Sequence, residues 1–437
     1  MKRLLKNGRI LTMSNGKPVC LEKGFLGIDG DTICYLGTEP PQDEKSYDET
    51  RDFSGRLLIP GLIDCHCHAA MTLLRGVGTD LPLQSWLFDN IFPLEDKLNE
   101  IPDGIRIGSE LAIMEMLAGG ITSFTDMYMQ PEGTAEEILA CGIKANICNY
   151  VQSFDPAEEY KDNLKAKRSF ALYDRYHGAG DGRLLVDFAM HAEYTNTEKS
   201  MRGYTDECLS RGGRMHLHLS ETKSEHEECK MRHGGMTPAE YFCSIGTFDL
   251  PTAAAHCVWV EPHDLDIFRE KGVFPIHNPT SNMKLGSGFA PIPKMLEMGI
   301  PVTLGTDGAA SNNNLNMFEE MHLASIIHKG YAHDAALMRA EDVFLMATRN
   351  GAMQQGRPDT GTLEVGKKAD VVAIDLTGLH MLPAFDACSA LCYQTQASDV
   401  CMTMVDGRIL YENGEFLTMD KERILSDYDR ILKALFA

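Results

Sequence analysis

The stretch LLIPGLIDCHCHAAM, Leu57 to Met71, decides how this chain is read. An apolar run enters it, Pro60-Gly61 interrupts the run, and two histidines follow with one residue between them. Alternate side chains of a strand share a face. His66 and His68 are therefore expected to point one way with Asp64 beside them, and Cys65 and Cys67 the other way. Two imidazoles so placed at a strand end can grip one metal ion. Taken alone, such a pair is more often two hydrogen-bonded strand-end histidines. The decision rests on further ligands at matching places.

Outward from that stretch, short apolar strands alternate with helical patterns. The strands read as Leu57–His68, Ile121–Met127, Lys144–Val151, Arg183–Ala192, Arg214–Glu221, Thr252–Val260, Gly272–Pro279 and Pro301–Gly308. Gly104–Ala118 and Thr134–Ala140 have helical spacing between them. Such β-then-α units over roughly 300 residues predict an α/β fold, a (β/α)8 TIM barrel, with its chemistry at the C-terminal strand ends. His66, His68, Asp126, His191, His218, Glu221, His256, His277 and Asp307 all fall at such ends. Both chain termini instead alternate apolar and polar residues around Asn-Gly, Asp-Gly and Ser-Gly turns. NGRIL near the start resembles DGRIL near the end. The expected organisation is a small β-sandwich domain from residues 1–56 and 364–437, the latter with a C-terminal helix, around a barrel of 57–363.

A net charge of −22 disfavours nucleic-acid backbones and anionic membranes as partners. The N-terminus lacks a leader-like apolar run, and no apolar run approaches bilayer length. Thirteen cysteines without CxxC pairs read as reduced, mostly buried thiols of a cytoplasmic protein.

In RMHLHLSET, His216 and His218 share a strand face, and Glu221 follows just past the strand end. His218, nearer the barrel mouth, is the expected ligand; His216 reads as an inner-layer histidine. In LGTDGAASNN, Asp307 ends an apolar strand, where it is either a ligand or the cap of the next turn. The candidate set is His66, His68, His218 and Asp307, and three imidazoles with one carboxylate suit Zn2+, with Fe2+ or Mn2+ chemically compatible. Such a metal makes hydroxide available near neutral pH. Glu221 is then placed to protonate a substrate ring nitrogen. His256 is either a proton shuttle or a packed strand-end histidine.

PGLIDCHCHAAM, HLHLSET, AAHCVW, HNPTSNMKLGSG, LGTDGAASNN and the closing GTLEVGKKADVVAIDL resemble the signature set of the amidohydrolase superfamily. Within it they resemble the branch of S-adenosylhomocysteine and methylthioadenosine deaminases and the related triazine hydrolases. The resemblance implies an enzyme, a hydrolase of C–N bonds in cyclic amidines, with one divalent metal per subunit, usually zinc. It implies the roles above for His66, His68, His218, Asp307, Glu221 and His256, with Asp307 also taking a proton from water. It further implies Trp86 as an apolar wall, Glu95 as acceptor for ribose hydroxyls and His191 as a purine contact, with Ser281 and Asn282 shaping the pocket. The implied substrate is an adenine nucleoside: methylthioadenosine, S-adenosylhomocysteine, adenosine or 5′-deoxyadenosine. Relatives are often homo-oligomers.

Two departures stand out. His191 is flanked by Met190 and Glu193, where the branch has Pro before the His and Ser or Pro before the Tyr. NYVQSFDPAEEYKDN contains no Arg to pair with an amino-acid carboxylate; the nearest bases are Lys161, Lys165, Lys167 and Arg168. That favours substrates without the carboxylate. Alternatives are a deaminase or chlorohydrolase of guanine, a pterin, cytosine or a triazine, and a catalytically silent metal-binding barrel. A bridging carboxylated Lys, a PCxxC zinc motif and a dinucleotide-binding glycine fingerprint are all absent.

Overall fold

In the computed structural model, which describes residues 1–14 and 16–437, parallel strands form the barrel. They are Leu62–His68, Ile121–Tyr128, Lys144–Val151, the pair Leu184–Val186 and Phe188–Met190, Met215–Leu219, Thr252–His256, Phe274–His277, and a last strand split into Thr303–Leu304 and Asp307–Gly308. The split closes the ring. Thr303 and Leu304 pair with Ile276 and His277, while Asp307 and Gly308 pair with Cys67 and His68. Lys144–Val151 is buried at every position, as a strand covered on both faces must be. The helix Gly104–Ala118 forms where its spacing predicts. Glu132–Cys141 begins after Pro131 and ends at Gly142, whose φ of 94° only glycine adopts freely.

Strict alternation fails in the first barrel strand. Its register against Ile121–Tyr128 shifts between Asp64 and Cys67. Cys65 packs with Ile63, Ala253, Ile276 and Ala352, whereas Cys67, past the shift, joins the main core. The helix Arg349–Gln354 closes the barrel floor there, and a Cβ on Gly351 would lie 2.9 Å from Cys65 Sγ.

The chain ends build one nine-stranded, mostly antiparallel sheet around its own core of Leu5, Ile28, Leu58, Val371 and Met402. They meet where Arg56–Pro60 runs antiparallel to Val371–Asp375. Leu57–Pro60 therefore belongs to this sheet and not to the barrel. Pro60-Gly61 is the step between them: Gly61 N–H donates to Asp370, and Leu62 N–H to Gly120, each at 3.0 Å. A Cβ at Gly61 would sit 1.9 Å from Thr122 Oγ1, so only glycine passes.

Asn7-Gly8 is a bulge inside the continuous strand Lys2–Ser14 and not a hairpin turn. Asp406-Gly407, with φ of 48° and 71°, does make the turn between Val400–Val405 and Arg408–Glu412. The C-terminal helix Lys421–Leu435 leaves the sheet and packs Ile431 and Leu435 with Leu98 and Ile105 of the barrel shell. Among the described residues no helix is long and apolar enough to cross a membrane, and all thirteen cysteines are free thiols.

Candidate active site

His66 and His68 come from the first barrel strand, His218 from the fifth and Asp307 from the eighth. One ring nitrogen from each of the three histidines lies within 4.8 Å of the others. Asp307 Oδ1 is 3.2 Å from His68 Nε2 and 3.5 Å from His66 Nε2. The Nδ1 of each imidazole is already engaged: His66 with His216 Nε2 at 2.8 Å, His68 with the Met127 carbonyl at 2.6 Å, and His218 with the His191 carbonyl at 2.8 Å. The second nitrogens are left facing one another, and His66 Nε2 is buried with no hydrogen-bond partner. A buried, unpartnered donor atom in a ring of nitrogen and oxygen ligands fits a divalent metal ion. Fixing each ring through its other nitrogen is how such ligands are oriented.

Electrostatics agree with that fit. Burial lowers His66 to about 4 and His218 well below the usual imidazole range, so both are neutral ligands at pH 7. Burial alone would raise Asp307, but the adjacent imidazoles of His66 and His68 hold it ionised, well below the usual carboxylate range. His68 is drawn up to about 9 by Asp307 against the opposing effect of burial.

Glu221 lies just past the fifth strand. Its backbone N–H and that of Ser220 are gripped by the two oxygens of Glu225, at 2.8 and 2.9 Å. Glu221 Oε1 accepts from Ser287 Oγ at 3.2 Å, and Oε2 is 3.7 Å from His256 Nε2. Burial raises the Glu221 carboxyl, opposed by the charge of His256. His256 Nδ1 donates to Asn282 Oδ1 at 2.9 Å. Backbone strain gathers here: φ is 48° at Ser220, 72° at His256, 49° at Cys257 and 61° at Asp307. Left-handed φ outside glycine costs about 1–3 kcal/mol per residue and persists where the surroundings over-determine it.

A cavity of about 560 Å3, counted out to its open mouth, extends from the ligand set. His68, His218, Glu221, His256 and Asp307 line its inner end; Trp86, Glu95 and His191 line it as well. Burial raises Glu95 to about 7 and lowers His191 to about 3. Ser281 and Asn282 do not line the cavity. Both are fully buried: Ser281 Oγ donates to Asp307 and Asn282 Oδ1 accepts from His256, while Asn282 Nδ2 has no partner. Asp126 and His277 are also outside the lining: Asp126 accepts from Ala69 N–H, and His277 packs its ring against His328.

The amidohydrolase family profile matches residues 57–410. The chain belongs to the amidohydrolase family. This amidohydrolase is 41% identical over 436 residues to the 5-methylthioadenosine/S-adenosylhomocysteine deaminase of Acetivibrio thermocellus, covering 99% of each chain. It is 38% identical to the 5′-deoxyadenosine deaminase of Methanosarcina acetivorans, covering 97% of this chain and 96% of that one. Its fold superimposes with a TM-score of 0.91 on a crystal structure of an adenosine deaminase from Xanthomonas campestris with bound zinc, at 29% identity, covering 99% of this chain and 98% of that one. The site of this amidohydrolase takes a metal cofactor.

Sequence reasoning left several residues of the amidohydrolase site unnamed. Leu83, Leu87 and Phe92 join Trp86 and Glu95 in one wall from a single segment, whose helix widens to a π-turn at Leu87–Ile91. Tyr128, Tyr150 and Tyr194 supply the other side. Tyr128 and Tyr150 were legible only as strand-end aromatics. Glu225, which holds the backbone of Glu221, had no motif signal, and Ser287 lay unsingled within HNPTSNMKLGSG.

Proposed function

We propose that this amidohydrolase is a zinc-dependent hydrolytic deaminase of adenine nucleosides whose 5′ substituent carries no charge. One observation carries the reading: a metal-ligand set that includes a proton acceptor, Asp307, shares one cavity with a proton donor, Glu221, and a second buried carboxyl, Glu95. Glu221 is raised by burial and Asp307 is held ionised. Two carboxyls pushed apart in this way divide into acid and base. When bound, the metal ion supplies Lewis-acid activation of water near neutral pH.

Glu221 gives its proton to N1 of the adenine ring, which makes C6 electrophilic. Asp307 takes the proton that the attacking water loses. His256 Nε2, facing Glu221 Oε2 at 3.7 Å, exchanges the proton needed by the departing amine. The C6–O bond forms, the C6–N bond breaks, and the products are the hypoxanthine nucleoside and ammonia. His191 faces the purine, Glu95 accepts from the ribose hydroxyls, and Trp86 covers the sugar.

The cavity wall supports an uncharged 5′ group. Among the described residues no Lys or Arg lines it, whereas Leu83, Leu87 and Phe92 do. The exposed Lys161, Lys167 and Arg168 are turned elsewhere, whereas the half-buried Lys165 sits beside the lining residues Tyr150 and Glu95. Lys165 Nζ donates to Gln152 at 2.6 Å and lies over the Tyr150 ring, Lys167 Nζ donates to the Asp162 carbonyl, and Arg168 pairs with Glu132. Lys161 lies over the ring of its neighbour Tyr160. The relatives named for methylthioadenosine, S-adenosylhomocysteine and 5′-deoxyadenosine deamination support the substrate class. The test is an ultraviolet assay of the zinc-loaded enzyme on methylthioadenosine, 5′-deoxyadenosine, adenosine and S-adenosylhomocysteine. The uncharged nucleosides should have the higher kcat/KM. No turnover of any of the four refutes the reading, and a clear preference for S-adenosylhomocysteine refutes its 5′ clause.

A further inference from the structure

A single segment after the seventh barrel strand, Pro279–Ser287, touches three of the site's acid–base groups. Ser281 Oγ donates to Asp307 Oδ2 at 2.6 Å. Asn282 Oδ1 accepts from His256 Nδ1 at 2.9 Å. Ser287 Oγ donates to Glu221 Oε1 at 3.2 Å. The three partners sit at the ends of three different strands, the eighth, sixth and fifth.

The segment is stiff enough to act as a jig. Asn282 N–H donates to the Asn278 carbonyl at 3.0 Å, Leu285 N–H to Ser281 at 2.9 Å, and Ser287 N–H to Asn282 at 2.9 Å. Thr280 N–H is held by Glu320 at 3.2 Å, Lys284 Nζ by the Ala310 carbonyl at 3.1 Å, and the Ser287 carbonyl by Trp259 Nε1 at 2.8 Å. Gly286, at φ 67°, makes the turn that brings Ser287 back.

Each bond takes one valence of its partner and leaves the other. An amide oxygen can only accept, so neutral His256 carries its proton on Nδ1 and presents a lone pair at Nε2. That lone pair faces Glu221 Oε2, because Ser287 occupies Oε1. Ser281 and Ser311 both donate to Asp307 Oδ2, at 2.6 and 3.0 Å, so Oδ1 is the oxygen turned to His66 and His68. Resting on the deaminase reading, we propose that Ser281, Asn282 and Ser287 are positioning residues that assign the protons of the site: Nε2 of His256 unprotonated, Oε2 of Glu221 the proton-bearing oxygen, and Oδ1 of Asp307 the oxygen shared with the histidines.

The experiment pairs spectroscopy with kinetics on the metal-loaded enzyme. Histidine-labelled protein is read by 15N–1H correlation, in which the two neutral tautomers have distinct nitrogen shifts. Wild-type His256 should show the Nδ1–H tautomer, and Asn282→Leu should populate the Nε2–H form. Ser287→Ala should lower kcat by about 10–100-fold. Its KM and its metal content should stay within about twofold, as for a group acting only in the transition state. Ser287→Thr, which keeps the hydroxyl, should recover most of that loss. Ser281→Ala should weaken metal affinity, measured by chelator competition, by about tenfold.

An Nε2–H tautomer in the wild type, or a His256 signal unmoved in Asn282→Leu, overturns the inference. So does a rise in KM with kcat kept, which would make the segment a substrate contact, or a kcat loss matched by lost metal and lowered Tm, which would make it merely structural. The histidine spectrum and the chelator competition need no turnover, so they separate failure of this inference from failure of the deaminase reading.

Discussion

Replacing Glu221 by Gln removes one proton and almost nothing else. The side chain is 10% exposed in the cavity wall, and the amide keeps an oxygen to accept from Ser287 Oγ at 3.2 Å. Glu225 continues to hold the backbone through the N–H groups of residues 220 and 221. Cavity shape and the metal-ligand set therefore persist, and only N1 protonation is lost. General acid catalysis contributes about 100- to 10,000-fold, or about 3–5 kcal/mol of barrier. The expected result in the ultraviolet assay is a kcat loss in that range, with metal per chain unchanged by elemental analysis. Stability gives a second readout with a definite sign. Burial raises the folded carboxyl above its unfolded value. The stability it contributes is fully present below the unfolded pKa and is lost as pH rises through the folded one. Metal-free Glu221→Gln should therefore melt above the wild type at alkaline pH and lose that advantage on acidification. Turnover within tenfold of wild type would refute the assignment of the proton donor.

Further outcomes follow from the geometry. Glu320 is buried between Thr280 and Asn312, and burial raises it from 4.5 to about 8. Its stabilising contribution should be complete below about pH 4.5 and gone above pH 8, so Glu320→Gln should raise Tm at pH 9 but not at pH 4; equal shifts at both would refute it. Chelation should abolish activity and zinc should restore it. Because Asp307 draws His68 up to about 9, zinc affinity measured by titration should rise with pH toward that value, and pH-independent affinity would refute the ligand role of His68. A Cβ on Gly305 would lie 2.8 Å from His66 N and O, so Gly305→Ala should lower stability by about 1–3 kcal/mol in urea unfolding and loosen metal binding. Glu95→Gln should raise KM for nucleosides about tenfold with little change for free adenine, since a weakened hydroxyl contact is worth about 1.4 kcal/mol.

Local chemistry made much of this protein legible in the chain. His66 and His68, Glu221, and Asp307 each stand where an apolar strand ends, and strand-end position is a matter of short-range pattern. The alternation of short apolar runs with helical spacing was enough for a barrel, and the turn-rich termini for a second sheet. Pattern failed where a neighbour in space decides. Leu57–Pro60 reads as part of the run into the histidines, yet its hydrogen bonds go to Val371–Asp375, more than 300 residues away. Cys65 and Cys67 pack into different clusters where the register slips against the next strand.

Ser281 and Asn282 were visible as polar residues in a motif, but only the fold shows that Ser281 Oγ holds Asp307 and Asn282 Oδ1 holds His256. The sequence by itself determined which side chains can bind a metal or move a proton, because that follows from residue type and strand-end spacing. Tertiary structure alone decided which nitrogen and which oxygen of each is free to do so, because a hydrogen bond from a distant loop takes one valence and leaves the other.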